Sequence, residues 1–155
     1  MISIKATKKD FWDSGTEGFI FLMNENLNTA AYLNHLEKIG REHYPHVKSV
    51  LSKHKFEGKV GQIFTLSAFS KNQLIQFVFS GIGKQNSQWN VNLETLRRAV
   101  AQAILTIKKM SIESAILALP DPKPYKISQE ELLEQIVTTC HMADYEFSTF
   151  KTKNS

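Results

Sequence analysis

Apolar residues follow two different periods along this chain, and the change from one to the other predicts alternating strands and helices. Two early apolar runs, residues 2–7 and 18–24, are rich in β-branched and aromatic residues, with turn formers at 13–15 between them. Because residues 18–24 are apolar on both faces, we expect a central strand that is covered by helices on both sides.

From residue 29 the apolar spacing becomes that of a helix. Apolar residues recur at helical spacing as far as Gly40, which is well placed to end this first helix. Pro45 suits the first turn of a second, short helix that carries Leu51. The glycine-containing stretch 56–62 then breaks the helical pattern.

A hairpin, a long helix and a further strand are predicted next. Residues 63–69 and 74–81 predict two hairpin strands joined by a polar turn, with their register left open. The segment 93–109 carries one apolar stripe, a glutamate near its start and two lysines at its end, so it predicts a helix. Residues 113–120 predict a buried strand that ends at a proline, and the prolines beyond it predict a loop over 121–126.

The last part of the chain predicts one more helix and one more strand. Ser128 and Glu131 have the spacing of a capping box, and apolar positions continue the helical pattern from there to Cys140. Residues 145–150 predict a short strand, followed by a polar tail over 151–155. Together the elements predict a three-layer α/β/α domain with a mixed sheet.

Composition places the chain among ordinary globular domains. Hydrophobic residues make up 42% and charged residues 22% of the 155 residues, which is enough for a core without cross-links. The single cysteine, Cys140, excludes an internal disulfide, and the sequence has neither a secretory signal nor an apolar span of about 20 residues. We therefore expect a cytoplasmic protein without membrane contact. The net charge of +4 comes from scattered lysines, which are typical of solvated surface rather than of a nucleic-acid footprint.

The stretch 81–84, Gly-Ile-Gly-Lys, is a candidate phosphate-binding turn between a strand and a helix. A nucleoside-triphosphate loop would need glycine in place of Val78 and a hydroxyl in place of Gln85, and a dinucleotide loop would need glycine in place of Asn86. These departures favour a structural corner, in which both glycines serve backbone geometry and the lysine is a surface charge. Anion binding at this turn is the weaker hypothesis, supported by the helix that follows.

The other chemistry-bearing residues form no catalytic or metal-binding pattern. Pro45 disturbs the helical spacing of the histidines on either side of it, and Cys140 and His141 would point about 100° apart on a helix. Capping and dipole effects explain the glutamates of the last helix, and a cysteine nucleophile would need a base from elsewhere. We therefore predict no catalytic, cofactor-binding or metal-binding residue. The residues concerned are His35, His43, His46, His54, Glu130, Glu131, Glu134, Cys140 and His141.

Five stretches of the sequence, in this order, resemble the amino-terminal domain of the leucyl (cytosol) aminopeptidase family. They are FEGKVGQIFTL (56–66), FVFSGIGK (77–84), LRRAVAQAILTIKK (96–109), AILALP (115–120) and YEFSTFKTK (145–153). The corresponding family pieces are a glycine-lysine-glycine turn, a strand ending in glycine and lysine, an arginine- and alanine-rich helix, a strand closing in proline, and an aromatic-lysine segment. The resemblance covers nearly the whole chain.

The resemblance implies a macro-domain-like fold, with residues 1–150 as a non-catalytic domain and 151–155 as the start of a linker. The family's carboxy-terminal domain uses two divalent ions, manganese or zinc, to activate water against an N-terminal peptide bond. Its asparagine-threonine-aspartate-alanine-glutamate-glycine-arginine stretch does not occur in this sequence, so no catalytic or metal-binding residue carries over. We expect both metals in that absent domain, and a role for this one in hexamer assembly and active-site access.

Three hypotheses about function follow, each from a different class. The first is an excised or naturally separate non-catalytic domain of a cytosolic leucyl aminopeptidase. The second is a stand-alone macro-like module that binds ADP-ribose or another nucleotide through residues 81–84, which rests on fold similarity alone. The third is DNA binding through the scattered lysines. The resemblance implies this possibility, since the domain contributes to DNA binding in some bacterial members of the family, and it requires an affinity for DNA that falls as the salt concentration rises.

Overall fold

A computed structural model describes residues 16–25, 44–70, 73–84, 93–120, 122 and 125–154. The elements along this part of the chain are β1 (Gly18–Asn24), α1 (Tyr44–Lys53), β2 (Ile63–Ser70), β3 (Gln73–Gly83), α2 (Leu93–Lys109), β4 (Ala115–Leu117) and α3 (Gln129–Asn154). Two predicted elements, the strand at 2–7 and the helix that ends near Gly40, lie outside the described residues.

The strands form one mixed sheet in the order β2-β3-β1-β4. β1 runs parallel to both of its neighbours, so the prediction that residues 18–24 form a central strand is confirmed. β2 and β3 form the predicted antiparallel hairpin, and its closing pair is Ser70 and Gln73. This pairing gives the register that the sequence left open.

Alternate side chains of β1 enter two separate cores, one on each face of the sheet. Ile20 and Leu22 pack in an aliphatic core with residues of α2 and α3. Phe19 and Phe21 pack on the opposite face, in an aromatic core that also contains Leu51 of α1. The sheet therefore lies between two helical layers, and the predicted three-layer α/β/α architecture is confirmed.

α2 forms where its apolar stripe predicts, with its bounds at 93 and 109. Leu96, Val100 and Ala103 are buried against the sheet because they recur on one face of the helix. The buried hydroxyl of Ser80 in β3 donates to the Ala99 carbonyl at 2.8 Å. This bond satisfies a polar group that would otherwise destabilise the core.

α3 runs from Gln129 to Asn154, so the strand predicted at 145–150 is wrong. The Glu131 N–H donates to Ser128 Oγ at 3.1 Å, which is one half of the predicted capping box. No glycine or proline follows within the helix. Helix propagation therefore continues and outweighs the strand preference of the aromatic residues near its end. The helix also includes most of the predicted polar tail.

The strand predicted at 113–120 is shorter and less buried than expected. Only Ala115–Leu117 pairs with β1. Ala115 is exposed, and the two residues after it, Ile116 and Leu117, are partly buried. Within the described residues β4 is an end strand of the sheet. In this part of the chain it has one neighbouring strand, whereas β1 has two.

An ion pair with one buried partner joins α2 to α3. Lys108 Nζ lies 2.7 Å from Asp144 Oδ1, and the aspartate side chain is 6% exposed whereas that of the lysine is 29% exposed. A carboxylate buried to this degree is stable only when a cation and hydrogen bonds compensate its lost hydration. The pair was not predicted from the sequence.

Replacing Lys108 by methionine should lower the free energy of unfolding by about 1–3 kcal/mol, because the buried carboxylate of Asp144 loses its cation. Lys109→Met is the matched control, since that neighbouring lysine is exposed, and should change the value by less than about 0.5 kcal/mol. Urea denaturation measures both. Equal losses in the two variants would contradict a stabilising role for the pair.

Candidate functional site

The carboxyl ends of β1, β3 and β4 lie at the same end of the sheet, because these three strands run in parallel. Ligands of open α/β sheets bind in the crevice outside such strand ends. The described residues here are Asn24, Glu25, Gly83, Lys84 and Ala118, which we call the strand-end site. Much of the candidate turn belongs to β3, which reaches as far as Gly83. The pairing of β1 with β3 is irregular at this point, in the manner of a β-bulge.

A glycine-containing turn at 58–61 packs directly onto the strand-end site. A Cβ atom on Gly81 would come closer than 3.0 Å to the carbonyl oxygen of Lys59, and one on Gly58 would come equally close to that of Asn24. Gly58 also has a φ of 77°. Glycine is therefore required at both positions, because two backbones touch there without room for a side chain.

Two backbone donors of the candidate anion site, the N–H groups of both glycines, are already used within the chain. The Gly81 N–H donates to the Gln62 carbonyl at 2.9 Å, and the Gly83 N–H donates to the Gly58 carbonyl at 2.9 Å. The Gly83 carbonyl in turn accepts the N–H of Glu25 at 3.1 Å. A phosphate cradle needs several free N–H groups that point to one place. These bonds support the interpretation of both glycines as backbone spacers.

Charged side chains of both signs lie around the strand-end site. Lys59 Nζ and Glu57 Oε2 are 2.7 Å apart, and both side chains are more than half exposed. Their hydrogen bond and mutual attraction lower the pKa of Glu57 and raise the pKa of Lys59. The charge of Glu25 raises the pKa of Lys59 further. The charge of Lys55 also lowers the pKa of Glu57. Together with the exposed Lys84, the described charges here are therefore three lysines and two glutamates, so charges of both signs lie side by side.

Cys140 lies in the aliphatic core on the inner face of α3. Burial raises the pKa of its thiol to about 11, so the thiol stays protonated at neutral pH. His141 beside it is exposed. His54 lies against Phe64 with ring centroids 5.2 Å apart, on the face of the sheet that carries the aromatic core. The sheet therefore separates this histidine from the cysteine, and the pair cannot act as nucleophile and base.

The glutamates of α3 have the surroundings that capping and dipole effects predict. Glu130, Glu131 and Glu134 are exposed in the first turns of the helix, where the dipole favours negative charge. In the part of the chain that the structure describes, no three histidine, cysteine, aspartate or glutamate side chains are grouped to hold a metal ion. Nor does any helix of that part have the length and hydropathy to span a membrane. Three histidine side chains lie outside this part, those of His35, His43 and His46.

The role of Gly58 was missed from the sequence, which marked 56–62 only as a break between elements. A signal was present, because glycines recur both there and at 81–83. The contact between them depends on the hairpin register, since the turn directly precedes β2 and β3 returns beside it. Glycine spacing alone does not give that register.

Gly81→Ala should lower the free energy of unfolding by about 2 kcal/mol or more, because its Cβ would force the turn at 58–61 away from β3. Gly61→Ala is the control, since a Cβ there meets nothing within 4 Å and only the φ of 90° opposes it. That strain should cost about 1 kcal/mol. Urea denaturation measures the free energy of unfolding of both variants. If Gly81→Ala loses less stability than Gly61→Ala, the close approach of the two backbones is dispensable.

Alkaline pH should destabilise the domain through Cys140. Burial raises the pKa of this thiol from 9.0 to about 11, so its contribution to stability is complete below pH 9 and is lost as the pH rises towards 11. The loss is at most about 1.4 kcal/mol per pH unit. Denaturation of the wild type and of Cys140→Ala from pH 7 to 10 tests this, because the variant should have the flatter profile. Burial also raises the pKa of Tyr125 from 10.0 to about 12, so this residue contributes a further loss of stability only above pH 10.0. Parallel profiles would contradict the prediction.

Two of the solved structures similar to this chain are macrodomain proteins. The macrodomain of Mycobacterium tuberculosis DarG matches with a TM-score of 0.65 and 12% identity, over 92% of this chain and 91% of that chain. Thermosipho africanus DarTG in complex with ADP-ribose matches with a TM-score of 0.61 and 10% identity, over 82% of this chain and 35% of that chain. At these identities the likeness concerns the fold alone. The chain is a macro-domain-like α/β domain, as the resemblance predicted.

The sequence comparison identifies the family. The model of the cytosol aminopeptidase family, N-terminal domain, matches residues 19–154. A relative, the probable cytosol aminopeptidase of Clostridium perfringens, is 25% identical over 100 residues, which are 64% of this chain and 19% of that protein. The chain belongs to the cytosol aminopeptidase family and corresponds to its amino-terminal domain. It spans about one fifth of the length of that relative.

Proposed function

We propose that this chain is the non-catalytic amino-terminal domain of a cytosolic leucyl aminopeptidase. The observation that carries the proposal is the family match, which extends over residues 19–154. In the whole enzyme, two manganese or zinc ions held by a carboxy-terminal catalytic domain would activate water to remove N-terminal amino acids from peptides. This domain would contribute to assembly of a hexamer and to access to the active site.

The geometry of the strand-end site supports a scaffolding role. The turn at 58–61 packs on the ends of β1 and β3. The Gly83 N–H donates to Gly58 in that turn, and the Gly81 N–H donates to Gln62 just after it. Backbone-to-backbone contacts of this kind fix one end of the sheet, because neither segment can move without breaking hydrogen bonds of the other. A rigid end of the sheet is what a domain needs when it positions a catalytic partner.

The first test is enzymatic. The 155-residue chain with added manganese should release no product from leucine anilides, whereas the protein encoded by the continued reading frame should hydrolyse them and lose this activity when a chelator removes the metal. A form of the longer protein without residues 1–155 is the matched control and should lose the hexamer. Hydrolysis by the 155-residue chain alone, or a stop codon after Ser155 with no catalytic half encoded nearby, would contradict the proposal.

Nucleotide binding is the second candidate function. It is supported by the position of residues 81–84 at the strand ends and by the fold shared with Thermosipho africanus DarTG, whose structure is a complex with ADP-ribose. Calorimetric titration with ADP-ribose tests it. Binding that Lys84→Ala weakens at least tenfold, and that Lys109→Ala leaves unchanged, would support this function. The absence of heat at millimolar ADP-ribose would exclude it.

A further inference from the structure

Within the part of the chain that the structure describes, the outer edge of β2 is an unprotected edge of the sheet. Among the described residues β2 pairs with β3 alone, and none of them forms a strand beside its second edge, which we call the open edge. The strand is eight residues long, contains no charged residue and no proline, and pairs with β3 without a register shift. Folded proteins usually protect such edges with charges, prolines or bulges. This edge has none of these features and is suited to pairing with a further strand.

Every second residue of β2 directs its backbone N–H and C=O groups towards the open edge. The Gln62 carbonyl just before the strand accepts the N–H of Gly81, so it points to β3. An antiparallel ladder alternates from there, and the even-numbered residues of β2 bond to β3. The outward residues are Ile63, Thr65, Ser67 and Phe69.

The side chains of these outward residues also share one face of the sheet, because side chains alternate along a strand. Ile63 is 36% exposed and Phe69 is 72% exposed, and both residues between them on this face are exposed. Along the edge the order is apolar, hydroxyl, hydroxyl, apolar. This order is the same when it is read in either direction.

We propose that a second copy of this chain pairs with this edge, antiparallel and about a two-fold axis at Leu66. In this register Ile63 pairs with Phe69 of the second copy and Thr65 pairs with Ser67 of the second copy. Each outward residue then belongs to a pair that exchanges two backbone hydrogen bonds. Shifting the register by one pair in either direction leaves an outward residue of each copy unpaired. The two four-stranded sheets become one continuous sheet.

The second copy is the occupant that this edge fits, because the match is reciprocal. A two-fold interface uses the same surface on both partners, so that surface must be complementary to itself. In the register centred on Leu66, apolar residues meet apolar residues, hydroxyl groups meet hydroxyl groups, and no charge enters the interface. The inference does not rest on the peptidase proposal, and a hexamer of dihedral symmetry contains two-fold contacts of this kind.

Charge substitutions at the ends of the strip test the register. We expect the 155-residue chain to have twice its mass of 17.7 kDa in light scattering at about 100 μM. Ile63→Lys with Phe69→Lys places like charges opposite each other across the axis and should weaken the dimer at least tenfold. Ile63→Lys with Phe69→Glu places opposite charges there and should restore it. Within one copy the two positions are about 20 Å apart, so the difference must arise between copies.

Cross-linking locates the axis. Leu66 would face itself in a pair without hydrogen bonds, where Cα atoms are about 4.5 Å apart, a distance that a disulfide spans. Leu66→Cys should therefore form a covalent dimer on mild oxidation. Ala68→Cys is the control, because its two copies would be about 13 Å apart. Cys140 is buried and is common to both variants.

Three results would overturn the proposal. A monomer at 100 μM would mean that this edge is unused or is covered by other residues of the same chain. Equal dimerisation of the two charge variants would exclude the register, as would equal cross-linking of Leu66→Cys and Ala68→Cys. None of these measurements depends on peptidase activity, so failure here is distinguishable from failure of the proposed function.

Discussion

The parallel pairing of β1 with β3 is the constraint on which the rest of the domain depends. Both strands lie inside the sheet, so their buried residues are mostly apolar on both faces, and one core forms on each side of them. Phenylalanine rings pack on one face, where the ring centroids of Phe21 and Phe79 are 5.3 Å apart. Aliphatic side chains of α2 and α3 pack on the other face. Parallel strands also bring their carboxyl ends together, which creates the strand-end site.

The strand-end site is where this fold offers space to a ligand, and the chain uses part of that space itself. The Gly83 N–H donates to Gly58 in the turn at 58–61, and the Gly81 N–H donates to Gln62 just after that turn. A ligand at this end would therefore have to be held by groups other than those two. This distribution of hydrogen bonds argues against a phosphate cradle that is built from the N–H groups of these two glycines.

Elements with long, regular patterns were predictable from the sequence, and features set by distant residues were not. α2 has the bounds that its apolar stripe predicts, because packing and helix periodicity agree along all 17 residues. The end of α3 was mispredicted, since residues 145–150 favour a strand locally but continue a helix that begins at Gln129. In the candidate site the sequence identified the glycines at 81–84 as spacers. The sequence did not reveal the turn that they touch, because hairpin register joins segments that are far apart in the chain.

The close approach of Gly58 and Gly81 also limits how this sequence can vary. Each glycine faces a carbonyl oxygen of another segment, so no single substitution at either position is accommodated without moving a second piece of backbone. Two segments under such a mutual constraint can therefore change only together, because a side chain added to one requires the backbone of the other to move. The two glycines lie in the stretches 56–66 and 77–84, so this geometric constraint links two of the five pieces that carry the resemblance to the family.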